Sequence, residues 1–445
     1  MRRADRSVEP VRAFAERFEE AFDRLPGHRS GHVAGWRRRS FERFRTLGLP
    51  TQRVEQWKYT NLPKALNQPM GLAIKPELRL DDVARFIAGG PKARRLIFVN
   101  GHLAPELSHV GGLPDGVKVR GLGRLLEESP EQVLAAFADG EEQRSLTALN
   151  AAFATAGAWV ELADGASLAE PLQLLFFTIG QPASALASPR NLLRLGRGAS
   201  LRLIESHIAL GDGHCFTNLV SRVEIGEGAE LRHDRLELGR GRTSLIHGTE
   251  MTLATDARLV QTVVTLGGAM VRNESELRLE GTGIDAQLNG LYMPTGQEHV
   301  DNQIRVHHLQ PACHSDQFYK GVVDGRSHAV FAGKIIVHQP AQKTNAFQAN
   351  NNLLLSDEAE IDTKPELEIY ADDVKCSHGA TVGDLDEQAL FYLRSRGLGL
   401  PQARSLLTYA YAGEVIERLS DATVQAQARH AVLDRLPGGA ALGVL

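Results

Sequence analysis

One short segment of the chain, Lys375 to Gly379 (KCSHG), brings a thiol and an imidazole close together. On a β-strand, Cys376 and His378 lie two residues apart and project from the same face. Thiolate and imidazole are ligands that suit iron, zinc and sulfur chemistry. Two ligands do not complete a tetrahedral site, and the pattern alone favours a packed thiol beside a surface histidine. If the pair does bind metal, its remaining ligands come from elsewhere, most simply from another chain.

A second concentration of possible ligands lies between residues 301 and 338. It consists of His307, His308, His314, His328 and His338, with Cys313 next to His314. Neighbouring residues on a strand face opposite sides, so His307 and His308 do not chelate one ion together. The pattern favours histidines that are satisfied in a core or an interface.

A polar run, QKTNAFQANNN, occupies residues 342–352. Stacked Asn and Gln side chains satisfy one another inside β stacks. The run therefore predicts a structural ladder, with pairing of a strand edge at an interface as a further role.

The bulk composition narrows the function classes. The chain has 445 residues, a net charge of −4 and three cysteines, Cys215, Cys313 and Cys376. This charge does not predict a nucleic-acid partner, and three scattered cysteines indicate reduced thiols rather than a disulfide framework. The sequence contains no run of about 18 apolar residues, so it predicts no membrane span. The N-terminal residues lack the pattern of a secretory signal. We therefore expect a cytoplasmic protein that does not bind a membrane.

Several short motifs of catalysis are missing from the sequence. It contains no GxxxxGK[ST] phosphate loop, no GxSxG elbow, no CxxC pair and no HExxH. The chain is therefore not predicted to be an ATPase by itself, nor an enzyme of these classes.

The middle of the chain repeats one phrase of alternating apolar residues, a polar or glycine turn and an alanine. The marker alanines are separated by 33, 30, 28, 29, 43 and 30 residues, and they are Ala166, Ala199, Ala229, Ala257, Ala286, Ala329 and Ala359. Recurrence of a strand–turn–strand unit near 30 residues is typical of a stacked β-solenoid. A β-sandwich or a barrel is the alternative, because strands alternate there too.

The regions on either side of the repeats have different residue patterns. The sequence as a whole predicts four regions. Residues 1–75 form a helical region, 76–164 a mixed α/β connecting region, 165–383 the β-helix core and 384–445 a C-terminal helical region. We expect the C-terminal helices to cover the edge of the final coil, which would otherwise be unpaired.

The stretch from about 302 to 419 closely resembles a known family. It includes FYKGVVDGRSHAVFAGKIIVHQPAQKTNAFQANNNLLLSDEAEIDTKPELEIYADDVKCSHGAT and is similar to the shared core of the B and D scaffold subunits of the SUF iron–sulfur cluster assembly system (the SufB/SufD family). The segment RVEQWKYTNL, residues 53–62, resembles the R-x-E-x-W-K-Y-T-x-L of D-type members. D-type members also share KCSHGAT, whereas B-type members have a glutamate-containing version. A cysteine that is essential in B-type members has no counterpart within residues 350–361.

The resemblance implies a right-handed parallel β-helix core flanked by N-terminal and C-terminal helical regions. It implies a non-catalytic scaffold subunit that pairs with a B-type subunit through the β-helices. The C-terminal helices, Ala403–Leu419 among them, would bind the ABC-type ATPase subunit SufC. A transient iron–sulfur cluster would form at the B–D interface, with His378 as interfacial ligand or proton acceptor and Cys376 as secondary ligand. No tightly bound cofactor is expected in this chain alone, although a reduced flavin is associated with such complexes.

Two alternatives remain open from the sequence. The chain is also compatible with a B-like or homodimeric scaffold, including a homodimer of the isolated subunit. A β-helix enzyme acting on carbohydrate is the alternative from another class, but such enzymes usually carry aromatic sugar platforms, and aromatic residues make up only 6% of this chain.

Overall fold

The computed structural model describes residues 8–66, 70–137, 144–181, 184–211 and 213–439. The helices are α1 (Val8–Ala21), α2 (Gly31–Leu47), α3 (Leu62–Ala65), α4 (Leu80–Val83), α5 (Leu122–Glu128), α6 (Pro130–Ala136), α7 (Ser145–Phe153), α8 (Glu387–Ser395), α9 (Leu400–Ile416) and α10 (Ala422–Leu433). The strands are β1 (Gly71–Leu72), β2 (Arg95–Val99), β3 (His102–Leu103), β4 (Val117–Gly121), β5 (Ala158–Leu162), β6 (Leu172–Ile179), β7 (Ala185–Ala187), β8 (Arg190–Leu195), β9 (Ser200–Leu210), β10 (His214–Ile225), β11 (Glu230–Leu238), β12 (Arg242–Leu253), β13 (Arg258–Thr265), β14 (Met270–Leu279), β15 (Asp285–Tyr292), β16 (His299–His308), β17 (His314–Val323), β18 (His328–Val337), β19 (Thr344–Leu354), β20 (Glu360–Ile369) and β21 (Val374–Gly383). Among the helices of these residues, none is long and apolar enough to cross a membrane.

Successive strands alternate between two sheets and build a parallel β-solenoid of about eight turns. Sheet A runs in the order β20-β18-β16-β14-β12-β10-β8-β5-β4, and sheet B in the order β21-β19-β17-β15-β13-β11-β9-β6-β2-β3. Apolar side chains from the inward faces of both sheets form one continuous core. The predicted parallel β-helix with helices at both ends is therefore confirmed. Strands β2, β4 and β5, which precede residue 165, also belong to these sheets.

The backbone conformation at the corners of the coil explains why a turn followed by an alanine recurs in the sequence. The residue before the marker alanine takes a positive φ at Gly198 (62°), Gly228 (62°) and Asp256 (56°), where glycine carries little steric penalty and Asp is tolerated. Each marker alanine there is buried and donates its N–H to the carbonyl three residues earlier. Ala257 precedes a strand of sheet B, whereas Ala359 precedes a strand of sheet A. The one long spacing, 43 residues, is thus the point where the phrase moves by half a coil from one sheet to the other.

The N-terminal helices form a separate aromatic core beside sheet A. Phe18 stacks on Phe41 with ring centroids 4.5 Å apart, and Phe153 of α7 packs edge-on against both rings. Helices α1 and α2 lie within residues 1–75, the part of the chain that the sequence predicts as a helical region.

A buried ion pair ties this helical region to the solenoid. Arg272 of β14 is fully buried, bonds Asp301 of β16 and donates to the carbonyl of Gln56 at 2.8 Å. Its guanidinium lies 3.8 Å above the ring of Trp57, and the hydroxyl of Thr60 also donates to Asp301. The segment 53–62 is therefore one of the contacts between the N-terminal region and sheet A, beside the aromatic core.

The C-terminal helices do not cover the last coil, so that expectation was wrong. They pack along the outward face of sheet B, where α9 contacts β15 and β17 and α10 contacts β11. That face carries Leu236, Val264 and Leu291, which are buried against Val415 and Val432 of the helices. An apolar outer face must be covered along its length, and this requirement outweighs protection of the end.

We predict that Asp301→Ala destabilises the fold by about 3 kcal/mol, because it removes the main partner of a buried charge. The shift is measured as the loss in free energy of unfolding by urea. Glu128→Ala is the control, since Glu128 pairs with Arg124 on the exposed surface of α5, where such a pair contributes at most about 1 kcal/mol. Equal unfolding curves for the two variants would contradict this account of the ion pair.

Candidate functional site at the open end of the solenoid

The last coil of the solenoid ends in an unpaired strand edge. Within the part of the chain that the structure describes, β20 and β21 pair only with β18 and β19 on one side. Their residues are mostly exposed or half-buried, and Val382 of β21 is 48% exposed. An open parallel ladder with apolar side chains is a template for pairing with another chain.

Cys376 and His378 lie on this terminal strand. Cys376 is in register with Ala346 of β19, and His378 with Gln348. Ala346 and Gln348 are both buried between the sheets. The two candidate residues therefore take the inward-facing columns of the solenoid at the level where the stack ends. As a result Cys376 is half-buried and His378 is exposed.

The pair is not a complete metal site in this chain. Burial raises the pKa of the Cys376 thiol above its usual value, which favours the thiol over the thiolate at neutral pH. Across the described residues, neither Cys376 nor His378 joins two other His, Cys, Asp or Glu side chains within reach of one ion. The geometry thus offers two neighbouring donors and leaves the other ligand positions to groups outside these residues.

The polar run 342–352 forms the predicted structural ladder on β19. Gln348 donates to Oε1 of Gln317 at 2.8 Å, one coil earlier. Asn352 donates to Oδ1 of Asn350 at 2.7 Å, and Asn350 donates to the hydroxyl of Tyr292 at 2.8 Å. Asn350, Asn352 and Gln348 are all buried. These amides fill the interior directly beneath the terminal strand.

The other predicted histidines are spread over several environments. His308 is buried, shares a hydrogen bond of 2.8 Å with Ser315, and has its pKa lowered to about 4 by burial and by His314. His307 lies beside His338, with the two ring nitrogens 3.4 Å apart. His308 is therefore a satisfied core histidine, as the sequence favoured, and the structure does not join these residues into one site.

A surface group extends the histidine set. Nε2 of His328 lies 2.8 Å from Oδ2 of Asp362, and Glu360 stands beside them on β20. The two carboxylates were not singled out from the sequence. The signal was present in the spacing, because Glu360 is in register with His328 one coil earlier.

A second group, inside the solenoid, was missed altogether. Glu205, His207 and His247 place their ligand atoms within 4.8 Å of one another. The pattern Glu205-x-His207 has the same two-residue spacing as Cys376-x-His378, so both side chains share one face of β9. His247 belongs to the opposite sheet, and no spacing in the sequence predicts which residues meet across the interior.

The remaining thiols are sealed. Cys215 and Cys313 are buried, and burial raises the pKa of Cys215 to about 12. Cys313 donates to the carbonyl of Gly281 at 3.2 Å. Among the three cysteines, all free, Cys376 is the accessible one.

Comparison with known proteins gives two family matches that together span most of the chain. Residues 9–174 match the SufBD protein N-terminal region, and residues 177–411 match the SufBD core domain described as SUF system FeS cluster assembly. The iron–sulfur cluster assembly protein SufD of Escherichia coli (strain K12) is 35% identical over 398 residues, which cover 88% of this chain and 90% of that protein. A SufBD family protein of Synechocystis is 34% identical over 87% of each chain. The chloroplastic protein ABCI7 of Arabidopsis thaliana is 28% identical over 76% of this chain and 72% of its own length.

We predict that a water-soluble maleimide modifies one thiol in the folded chain and three after unfolding. Cys376→Ser should abolish the labelling of the folded chain, whereas Cys313→Ser, the control, should leave it unchanged. Because the thiolate is the nucleophile and burial raises the pKa of Cys376, the rate should still be rising with pH above the range of an ordinary thiol. Labelling that persists in Cys376→Ser, measured by mass spectrometry, would contradict the assignment.

Proposed function

We propose, since the chain belongs to the SufBD family as a SufD-type protein of the SUF iron–sulfur cluster assembly system, that it is a non-catalytic scaffold subunit. In this proposal a cluster is assembled at the open end of its solenoid, on a surface shared with a B-type subunit. The single observation that supports it most is the placement of Cys376 and His378 on the terminal strand, whose outer edge is unpaired within the described residues.

The chemistry of the open end supports a shared site. Imidazole and thiolate bind iron, and two such donors leave two positions of a tetrahedral iron to be filled. A partner strand pairing with β21 would satisfy its backbone groups and bring its own ligands beside His378. His378 would act as interfacial ligand or proton acceptor, and Cys376 as secondary ligand. The cluster would be cargo of the complex, and a reduced flavin would also belong to the complex.

The C-terminal helices offer a different surface, which we assign to the ABC-type ATPase subunit SufC. Residues Ala403–Leu419, proposed as the docking segment, have one side buried on sheet B. The adjoining α8 leaves Phe391 75% exposed, beside the exposed Tyr392. Exposed aromatic side chains of this size are typical anchors of protein interfaces. The docking face would therefore extend from α8 onto the outer side of α9.

A second copy of this chain is the other occupant that the open ladder suits, because an identical strand edge also offers unpaired backbone groups. This alternative corresponds to a homodimeric scaffold. It predicts a dimer of the isolated chain in sedimentation analysis, and the same terminal strand would be buried in it.

We predict that His378→Ala lowers cluster yield by about 10-fold or more, because it removes a ligand or proton acceptor. The measurement is iron and acid-labile sulfide per complex after reconstitution with B-type and SufC subunits. His109→Ala is the matched control, since His109 is also exposed but lies beside β2 at the opposite end of the solenoid. Recovery of the three-component complex should be unaffected in both variants. Equal cluster yields from the two variants would rule out the assignment of His378.

We predict that a paired experiment distinguishes the two docking surfaces, with one substitution placed in each. Val382→Asp places a charge on the open ladder and should weaken binding of the B-type subunit by about 30-fold, while Phe391→Asp should weaken binding of SufC to a similar extent. Each variant is the control for the other, and binding is measured by titration with each purified partner. If Val382→Asp instead dissociates a dimer of the isolated chain and leaves B-type binding intact, the homodimeric scaffold replaces our proposal.

A further inference from the structure

Three imidazoles meet inside the solenoid around one carboxylate, far from the open end. Oε1 of Glu205 lies 2.8 Å from Nε2 of His207 and 3.8 Å from Nδ1 of His247. Oε2 of Glu205 lies 3.0 Å from Nε2 of His233. Glu205 is 2% exposed, His207 8% and His247 1%. This much ligand-forming chemistry is unusual in an interior that otherwise consists largely of aliphatic side chains.

We propose that Glu205, His207 and His247 form a binding site for one divalent transition-metal ion of the kind that accepts imidazole and carboxylate together, such as Fe²⁺ or Zn²⁺. Their ligand atoms all lie within 4.8 Å of one another. A metal that bonds nitrogen and oxygen at about 2.0–2.2 Å brings such atoms together with small side-chain shifts. Two imidazoles and one carboxylate are a ligand set that suits both ions.

The surrounding residues hold these ligands in place. The ring of His207 stacks on Phe176, with centroids 4.9 Å apart and planes 8° from parallel. Nε2 of His247 lies 2.9 Å from Oγ of Ser221. Since outer contacts of this kind fix the orientation of a ligating imidazole, each ring is held with one nitrogen close to Glu205, Nε2 in His207 and Nδ1 in His247. His233 stands next to Glu205 as a fourth donor, with Gln261 3.0 Å from its Nδ1.

The charges around the site favour a cation. Glu205 and Glu237 are both buried, and Arg235 is the buried cation next to them. Nε of Arg235 lies 3.0 Å from Oε1 of Glu237, so that carboxylate already has its counter-charge. Glu205 accepts its hydrogen bonds from imidazoles, and a buried carboxylate is strongly stabilised by a full positive charge. Arg235 also donates to Nδ1 of His247 at 3.0 Å. A metal ion would take that position on His247, while the pairing with Glu237 keeps the guanidinium in place.

A small cavity adjoins one of the three proposed ligands, His207. It has a volume of about 30 Å³ and is lined by His207 and Glu237 together with Gly239 and Gly268. A water molecule needs about 10–15 Å³ of such space, so the cavity has room for a water beside His207 that could complete the coordination of an ion. Gly239 follows the end of β11, so the cavity extends from His207 to a corner of the coil.

The site is separate from the proposed assembly site, and its test distinguishes the two. The purified chain is titrated with Co²⁺, whose visible absorption reports imidazole and carboxylate ligands, and affinity is measured by calorimetry. We expect one tight equivalent, lost or weakened at least about 10-fold in Glu205→Gln. Asp362→Asn is the matched control, because it removes the surface group around His328, and His378→Ala tests the open end. Tight binding unchanged by Glu205→Gln, or abolished by Asp362→Asn or His378→Ala, overturns the proposal.

A second measurement covers the case in which Glu205→Gln does not fold. Crystals of the unaltered chain are soaked in Zn²⁺, and anomalous scattering is collected at the zinc edge. A peak bonded to Glu205, His207 and His247 supports the site. Peaks confined to surface residues, with none between these three side chains, overturn it whatever the behaviour of the variants.

Discussion

The backbone ladder between successive coils is the interaction on which the rest of the structure depends. Each strand of the solenoid has its N–H and C=O groups satisfied by the strands one coil before and one coil after it. The ladder is complete only between its two ends: within the described chain, β20 and β21 have a neighbour on one side at the C-terminal end, as β4 and β3 do at the other end. A solenoid of this kind exposes unpaired backbone groups at its end unless another element covers them. The helices that follow β21 could have covered it, yet they turn back along sheet B, because the apolar outer face of that sheet needs a cover of its own.

The same stacking arranges the inward side chains in columns. One column runs from His233, which lies beside Glu205 in the buried cluster, to His378 at the open end. This column of sheet B passes, coil by coil, through His233, Gln261, Leu288, Gln317, Gln348 and His378. Inside the stack, polar members bond to a neighbour above or below, as Gln261 does to His233 and Gln348 to Gln317. His378 has a neighbour on one side only. Polar side chains that serve as structure within the column therefore become available for chemistry where the column stops.

The sequence predicted the parts of this arrangement that depend on spacing along the chain. A recurrence near 30 residues gave the solenoid, and the two-residue spacing of Cys376 and His378 gave their common face. Contacts between sheets lie beyond such reasoning: Glu205 meets His247 because two non-paired strands face each other across the interior. The position of the C-terminal helices was also mispredicted, since their apolar side chains match an outer face of sheet B that alternation alone does not distinguish from the inner one. In both cases the three-dimensional packing distinguishes between alternatives that share the same pattern along the sequence.

The C-terminal helices pack on the same sheet that carries the open edge, so sheet B connects the two proposed docking surfaces. Lys320 of β17 is buried beneath α9, where it pairs with Glu414 at 2.7 Å and lies 4.0 Å from the ring of Tyr411. In the outward column of sheet B, Lys320 is in register with Asn351, and Asn351 with Thr381 of the terminal strand. Thr381 donates to Oδ1 of Asn351 at 3.0 Å. Only two coils, each joined to the next by a continuous ladder, thus separate the helix contact from the open edge. The strand that carries His378 and the strand that contacts α9 therefore belong to the same hydrogen-bonded sheet.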